Sequence, residues 1–381
     1  NGGSRIMAIS EINDKSLAAS AVNLATTTVT GILPAANTAA NLSPGNNLVT
    51  NGAMQVAQRG TSFTSQTGVA YHLDRWEMYG YTMGDGVYRV DQSTDAPAGF
   101  SNSNKVSCTT ADASQDANNQ MFFQQMIEGL NSSHINYFVS SPDTVTLSFW
   151  VKSNRTGSYS LGLKLSDNGS AQDNTSTRIY NSTYSVSVAN TWEKKTITIV
   201  MDTSSSTKVV TNGFAMAVLW WLGAGTNRDG HGANTWYNNG NSATACDNLD
   251  ILGSTSNDWY ITGVQLEVGT VATPFNYRSY GQESQLCKRF FQVHDDMQLR
   301  GNPDAGFERI EIYCPLGVSM RANPSRVVIT EGNSTNIRSP VTGYSGFILA
   351  NRTAGCTLSL ESNSAGLASF NNRTESLDAE L

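Results

Sequence analysis

The chain has 381 residues, a length that fits two or three domains, and only 14% of them are charged, against the ~25% of an ordinary globular protein. Its formal net charge of −7 argues against the basic face of a nucleic-acid binder. No apolar run approaches the ~20 residues that cross a bilayer, and the start lacks the pattern of a secretion signal, so membrane insertion is not expected either.

In chain order, NGGSRI reads as a processing or cloning remnant ahead of Met7. Residues 1–46 carry scattered apolar side chains with neither a heptad nor a strict alternation. A helix is expected over Asp14–Leu24, then extended chain broken at Gly31 and Pro34. So few apolar groups bury no core alone, but three copies wound on one axis would share a thin stripe. Pro44–Asn46 form a hinge, and a main β-sandwich is expected over 47–278.

Val145, Leu147, Phe149 and Val151 alternate with polar neighbours, as do Ile197, Ile199 and Met201. Phe214–Leu222 is apolar on both sides, the mark of a central, doubly covered strand. In Asp258–Val268, Tyr260, Thr262, Val264, Leu266 and Val268 are assigned to the core face, and Ile261, Gly263, Gln265 and Glu267 to the other. Pro274 marks a crossover, and Ser279 with Gln282 has the form of a helix N-cap, opening a connecting helix over 279–293 with Leu286, Arg289 and Phe290 on one face. His294–Asp296 reads as a solvated turn. A smaller C-terminal β-sandwich follows over 294–381, with strands at Ile310–Ile312, Val327–Ile329, Phe347–Leu349 and Cys356–Leu360. The fold class is therefore all-β.

The five cysteines are odd in number, widely spaced and free of Cys-x-x-Cys, which argues against a zinc site or a disulfide framework. They read as small apolar core residues made in a reducing cytoplasm. The four histidines form no His-x-x-x-His pair, and no Gly-x-Ser-x-Gly elbow or phosphate loop occurs, so no catalytic residue and no cofactor is expected.

The strongest functional stretch is the long segment Gly223–Asp258. Trp236 and Tyr237 offer aromatic faces for the C–H side of a pyranose, while Asn227, Asp229, His231 and Asn239 offer polar groups for its hydroxyls. The competing reading has Trp236 and Tyr237 packed back on the sandwich as anchors. Trp76, Trp150, Trp192, Trp220 and Trp221 are assigned to core or interface, and Asp74 with Arg75 to a structural ion pair.

Two stretches carry a resemblance. ITGVQLEVGTVATPFNYRSYGQE with the following LCKRFFQ is similar to the closing segment of bacteriophage tail-fibre and tail-fibre-like proteins. NLVTNGAMQVAQRG, followed by Asp74–Arg75–Trp76, resembles their opening segment. Pro-Leu-Gly-Val-Ser-Met-Arg-Ala-Asn-Pro and the TVTGILPAANT stalk-like run resemble the same group. The resemblance implies a jelly-roll domain on a trimerising N-terminal stalk, in a homotrimer assembled in the host cytoplasm and carried on the virion. It implies docking to phage tail or head structural proteins through residues 1–46, and adhesion to a host-surface glycan. The rivals are a purely structural decoration fibre, a glycan depolymerase and a carbohydrate module of a secreted enzyme. NLVTNGAMQ also resembles the first strand of jelly-roll carbohydrate-binding modules, which hold calcium through acidic residues. Gln55 and Gly263 stand at the matching positions, so no metal is expected there.

Overall fold

The structure, a computed structural model, describes residues 47–112, 114–170, 177–238, 245–247, 249–301, 309–322, 324–330, 333–335, 355–361 and 368–381. The expected stalk and its helix lie outside these residues, as do Asn239 and the strand expected at Phe347–Leu349. The first half of the sandwich contains β1 (Ser62–Gln66), β2 (Ala70–Tyr71), β3 (Glu77–Tyr81), β4 (Val87–Ser93), β5 (Ser103–Thr110) and β6 (Gln120–Glu128), then a single helical turn α1 (Gly129–Ser132). The second half contains β7 (Thr144–Ser153), β8 (Gly157–Ser166), β9 (Thr177–Val186), β10 (Glu193–Val200), β11 (Phe214–Ala224), β12 (Thr235–Asn238) and β13 (Asp258–Val268).

Two antiparallel sheets face each other, a six-stranded one in the order β1-β4-β5-β13-β7-β10 and a seven-stranded one in the order β12-β9-β8-β11-β6-β3-β2. The expected all-β jelly-roll sandwich is the fold observed. The alternation of β7 sends Val145, Leu147, Phe149 and Val151 into the space between the sheets. There Trp76 stacks flat on Phe123 at 4.7 Å, and Phe149 meets Trp220 edge-on at 5.4 Å. Burying a large apolar side chain contributes about 1.5–3 kcal/mol, so this aromatic block is the main cohesive mass of the molecule. β11 is buried along its whole length between β8 and β6, as its two-sided apolar sequence requires.

The face assignment of β13 needs correction. Trp259 and Ile261 point into the core, and so do Val264 and Leu266, because the register slips between Thr262 and Gln265. Gly263 makes the slip: it sits at φ +62, where a Cβ would stand 2.6 Å from the Phe100 ring. Tyr260 and Thr262 thereby face outward. Gln265 and Glu267 are buried under the proline crossover, where Thr273 donates to Glu267 through both its amide (2.9 Å) and its hydroxyl (2.6 Å).

Helix α2 (Tyr280–Lys288) begins with the expected capping box of Ser279 and Gln282, but strand β14 (Phe291–Gly301) already follows, so His294–Asp296 lies in a strand rather than a turn. The helix buries Glu283 and Cys287, while Leu286 stays exposed. β14 pairs with β19 (Ala368–Asp378), which also takes β16 (Ser325–Thr330) and β17 (Asn333–Thr335). A two-stranded ladder joins β15 (Arg309–Pro315) to β18 (Gly355–Glu361). Its register sets Cys314 opposite Cys356, two cysteines that sequence spacing had kept apart.

The chain end returns to the sandwich. Glu380 pairs with Arg75, whose guanidinium lies 3.5 Å over the Phe290 ring, and Arg59 reaches Asp378 at 3.0 Å. Arg321 donates to the carbonyls of Ala379 (2.8 Å) and Glu380 (2.9 Å). The expected ion pair between Asp74 and Arg75 is absent: Asp74 instead accepts the Gln58 amide N–H at 2.6 Å, and Arg75 belongs to Glu380. Adjacent residues in a tight turn diverge, and each finds its own partner.

Two predictions follow from this clasp. Glu380→Ala leaves Arg75 buried without its anion, so urea unfolding should show a loss of about 3–5 kcal/mol, and an unchanged midpoint would contradict the pairing. Beside it, burial lifts the Glu77 carboxyl from 4.5 to about 7, with the Gln124 hydrogen bond opposing and Glu380 adding to the rise. The folded chain then keeps a proton that the unfolded chain releases, so this group's contribution falls as pH rises from about 4.5 to about 7. His72, held down to about 4 by burial and by Arg59, acts in the opposite sense between about 4 and 6.5. Glu77→Gln should therefore gain stability over the wild type above pH 7 and show no such gain below pH 4.5. A difference independent of pH would contradict the assignment.

Candidate functional site

The segment singled out in the sequence holds a short edge strand. β12 pairs with β9, placing Trp236 opposite Tyr180 and Tyr237 opposite Ile179. Strand alternation sends the two neighbouring aromatics to opposite faces of the sheet. Trp236 turns inward, 5.5 Å from the Tyr180 ring, and its indole N–H donates to the Val200 carbonyl at 2.9 Å. It is an anchor. Tyr237 lies on the outer face, half-buried against Phe122, Ile179, Leu219 and Trp221. Its hydroxyl donates to the Gly232 carbonyl at 3.0 Å, and His231 meets its ring edge-on at 4.7 Å.

The chain before β12 is tied down by its backbone. The amide of Asn227 donates to Ala117 at 2.8 Å, that of Ala245 to Arg228 at 2.7 Å, and that of Asn234 to Asn181 at 2.7 Å. Asn234 adopts φ +62, which asparagine tolerates, and its side-chain oxygen accepts from Ser182 at 2.9 Å. Asn227 is exposed, with its amide on Asn118 at 3.1 Å, and Asp229 and His231 are half-buried. The structure thus brings Tyr237 and His231 together, leaves Asn227 and Asp229 on the same tied segment, and removes Trp236 to the inner face.

Sequence reading missed Tyr79. It stacks flat on Phe122 at 4.6 Å, and Phe122 meets Trp221 edge-on at 5.0 Å, so the outer face carries an aromatic band from β3 to β12. Burial raises the Tyr79 hydroxyl above its usual value, Glu77 and Tyr81 add to that, and the Arg228 guanidinium opposes it. The alternating tyrosines of Tyr79-Gly80-Tyr81 were the available signal, and Tyr81 remains half exposed.

The six-stranded sheet has aromatic groups outside too, but they are occupied. Asp95 accepts from the Trp192 indole at 3.0 Å and pairs with Lys152, whose ammonium sits 4.1 Å over the Tyr260 ring. The hydrogen bond from Lys152 holds the Asp95 carboxyl below its usual range, against a smaller effect of burial. Trp236→Phe keeps an aromatic ring, smaller than the indole, and removes the bond to Val200. It should cost about 1 kcal/mol in urea unfolding, and a cost near zero would contradict the anchor role.

No family model matches the sequence, and no curated protein matches it. Among solved structures, a putative sugar-binding protein from Bacteroides thetaiotaomicron is 13% identical, with 58% of this chain and 100% of that one covered and a TM-score of 0.32. A family 11 carbohydrate-binding module from Clostridium thermocellum, in complex with a β-1,3-1,4-mixed-linked tetrasaccharide, is 10% identical, with 55% and 100% covered and a TM-score of 0.29. The enzymatically active domain of bacteriophage CBA120 tailspike protein 4 is 13% identical over 58% of this chain, with a TM-score of 0.29. The match spans about a fifth (21%) of that tailspike chain.

Proposed function

We propose that this chain binds a glycan on the outer face of the seven-stranded sheet, where the segment before β12 meets the aromatic band. The observation that carries this reading is the Tyr237–His231 pair, half-buried at a sheet edge with the exposed Asn227 and half-buried Asp229 on the same segment. An aromatic face suits the apolar side of a sugar ring, and amide, carboxylate and imidazole groups suit its hydroxyls. The work is binding rather than bond cleavage.

The sequence motifs extend the proposal. The chain is a homotrimeric fibre protein of a bacteriophage particle, docked to tail or head structural proteins by residues 1–46 and adhering to a host-surface glycan. Three copies on one stalk raise avidity by roughly 10²–10⁴ without any new contact, which suits a reversible search over a surface.

The test is retention of the full chain on an array of bacterial surface polysaccharides. Wild type and Trp192→Ala should be retained on the same glycans, Tyr237→Ala should fall at least about tenfold, the effect of losing one hot-spot aromatic, and polysaccharide viscosity should stay constant. Equal retention of Tyr237→Ala would overturn the site. Absence of any retention would leave a structural fibre, and falling viscosity a depolymerase.

A further inference from the structure

The five cysteines differ in their surroundings. Cys108 and Cys287 are buried, Cys246 is half-buried, and all three are free. Burial lifts the Cys108 thiol from 9.0 to about 11 and raises those of Cys246 and Cys287 as well. Each is therefore a poor source of the reactive thiolate at neutral pH. Cys314 and Cys356 stand elsewhere, on the two-stranded ladder of β15 and β18.

That ladder runs without a register slip from Arg309 opposite Glu361 to Pro315 opposite Gly355. The sequence supports the same register. Ile310 meets Leu360, Ile312 meets Leu358 and Cys314 meets Cys356, so one face pairs apolar with apolar along its length. Arg309 and Glu361, of opposite charge, are matched on the other face. A slip of one residue would set apolar positions against polar ones. Residues directly opposite in an antiparallel ladder hold their Cα atoms about 4.5 or 5.5 Å apart, depending on whether the pair is hydrogen-bonded. Both separations lie within the roughly 4.4–6.8 Å that a disulfide spans.

We propose that Cys314 and Cys356 form a cross-strand disulfide that oxidation closes and reduction opens. The chemistry is exchange with a small-molecule disulfide. That reagent's S–S bond breaks as the Cys314–Cys356 bond forms, and it leaves as two thiols carrying the two protons and two electrons that the cysteines give up. In a reducing cytoplasm the pair stays open, and in an oxidising exterior it closes. A two-stranded ladder alone is marginal in water. Its terminal pair here is weak, because Pro315 brings no amide N–H and Gly355 the greatest backbone freedom. The disulfide lies one pair inside that end and pins it. This assignment does not depend on glycan binding.

The test uses the full chain, reduced, freed of reductant and then held in oxidised glutathione. Thiol titration after denaturation should find five in the reduced chain, the number in the sequence, and two fewer in the oxidised one. A tryptic digest without reductant should join peptide 310–321 to peptide 353–373. Cys246→Ser should still give that joined peptide, and Cys314→Ser should not. Oxidised wild type should melt above both its reduced form and oxidised Cys314→Ser, and dithiothreitol should reverse the gain. Five thiols after oxidation, a cross-link built on another cysteine pair or between two chains, or equal melting of the open and closed forms would each overturn the proposal.

Discussion

One buried asparagine ties the opening segment to the Asp74–Trp76 turn and to helix α2. Asn51, fully buried at φ +57, accepts the amides of Gln55 and Val56 on its side-chain oxygen, both at 2.9 Å, and donates to the carbonyls of Val56 and Asp74. Its own carbonyl takes the Trp76 indole N–H at 3.0 Å, and its amide goes to Glu283 of helix α2. Each of these groups would be costly to bury alone, and together they satisfy one another. Asn47 does the same for the closing strand, accepting Leu266 N at 3.0 Å and donating to Val264 O at 2.9 Å. Between them Gly52 lets the backbones touch, since a Cβ there would fall 2.2 Å from the Val264 oxygen.

The motifs that look separate along the chain are thus one physical object. The opening NLVTNGAMQ, the Asp74–Arg75–Trp76 turn and the stretch from β13 into α2 meet at Asn47 and Asn51. From there Trp76 enters the aromatic block, and Arg75 receives the returning chain end through Glu380. The candidate site lies at the far edge of the sheet that this block supports. Trp236 fixes that edge from inside, so Tyr237 and His231 can stand outside on a rigid base, which keeps the entropy cost of binding low.

Regular elements were legible in the sequence because pattern and packing agree in them. β7 alternates and is core-facing on one side, β11 is apolar throughout and doubly covered, and Ser279 with Gln282 caps α2. The misreadings arose where local geometry or sheet order departed from the sequence pattern. Gly263 inserted a bulge and inverted the first half of β13. Thr235–Asn238 became a strand inside an apparent loop, so adjacent aromatics that promised one surface were divided between two. Tyr79 was overlooked, despite its alternation with Tyr81, because its stacking partner, Phe122, lies on another strand 43 residues on, a contact made by sheet order alone.

The most direct test of this account is amide hydrogen exchange at Asn51, Gln55 and Val56. None of these residues belongs to a sheet ladder, yet each amide ends on a buried side chain. The account predicts protection equal to that of Val264 and Leu266 in β13, lost only on global unfolding. Exchange as fast as that of an open surface loop would contradict it, because the opening segment would then not be the joint on which the sandwich closes.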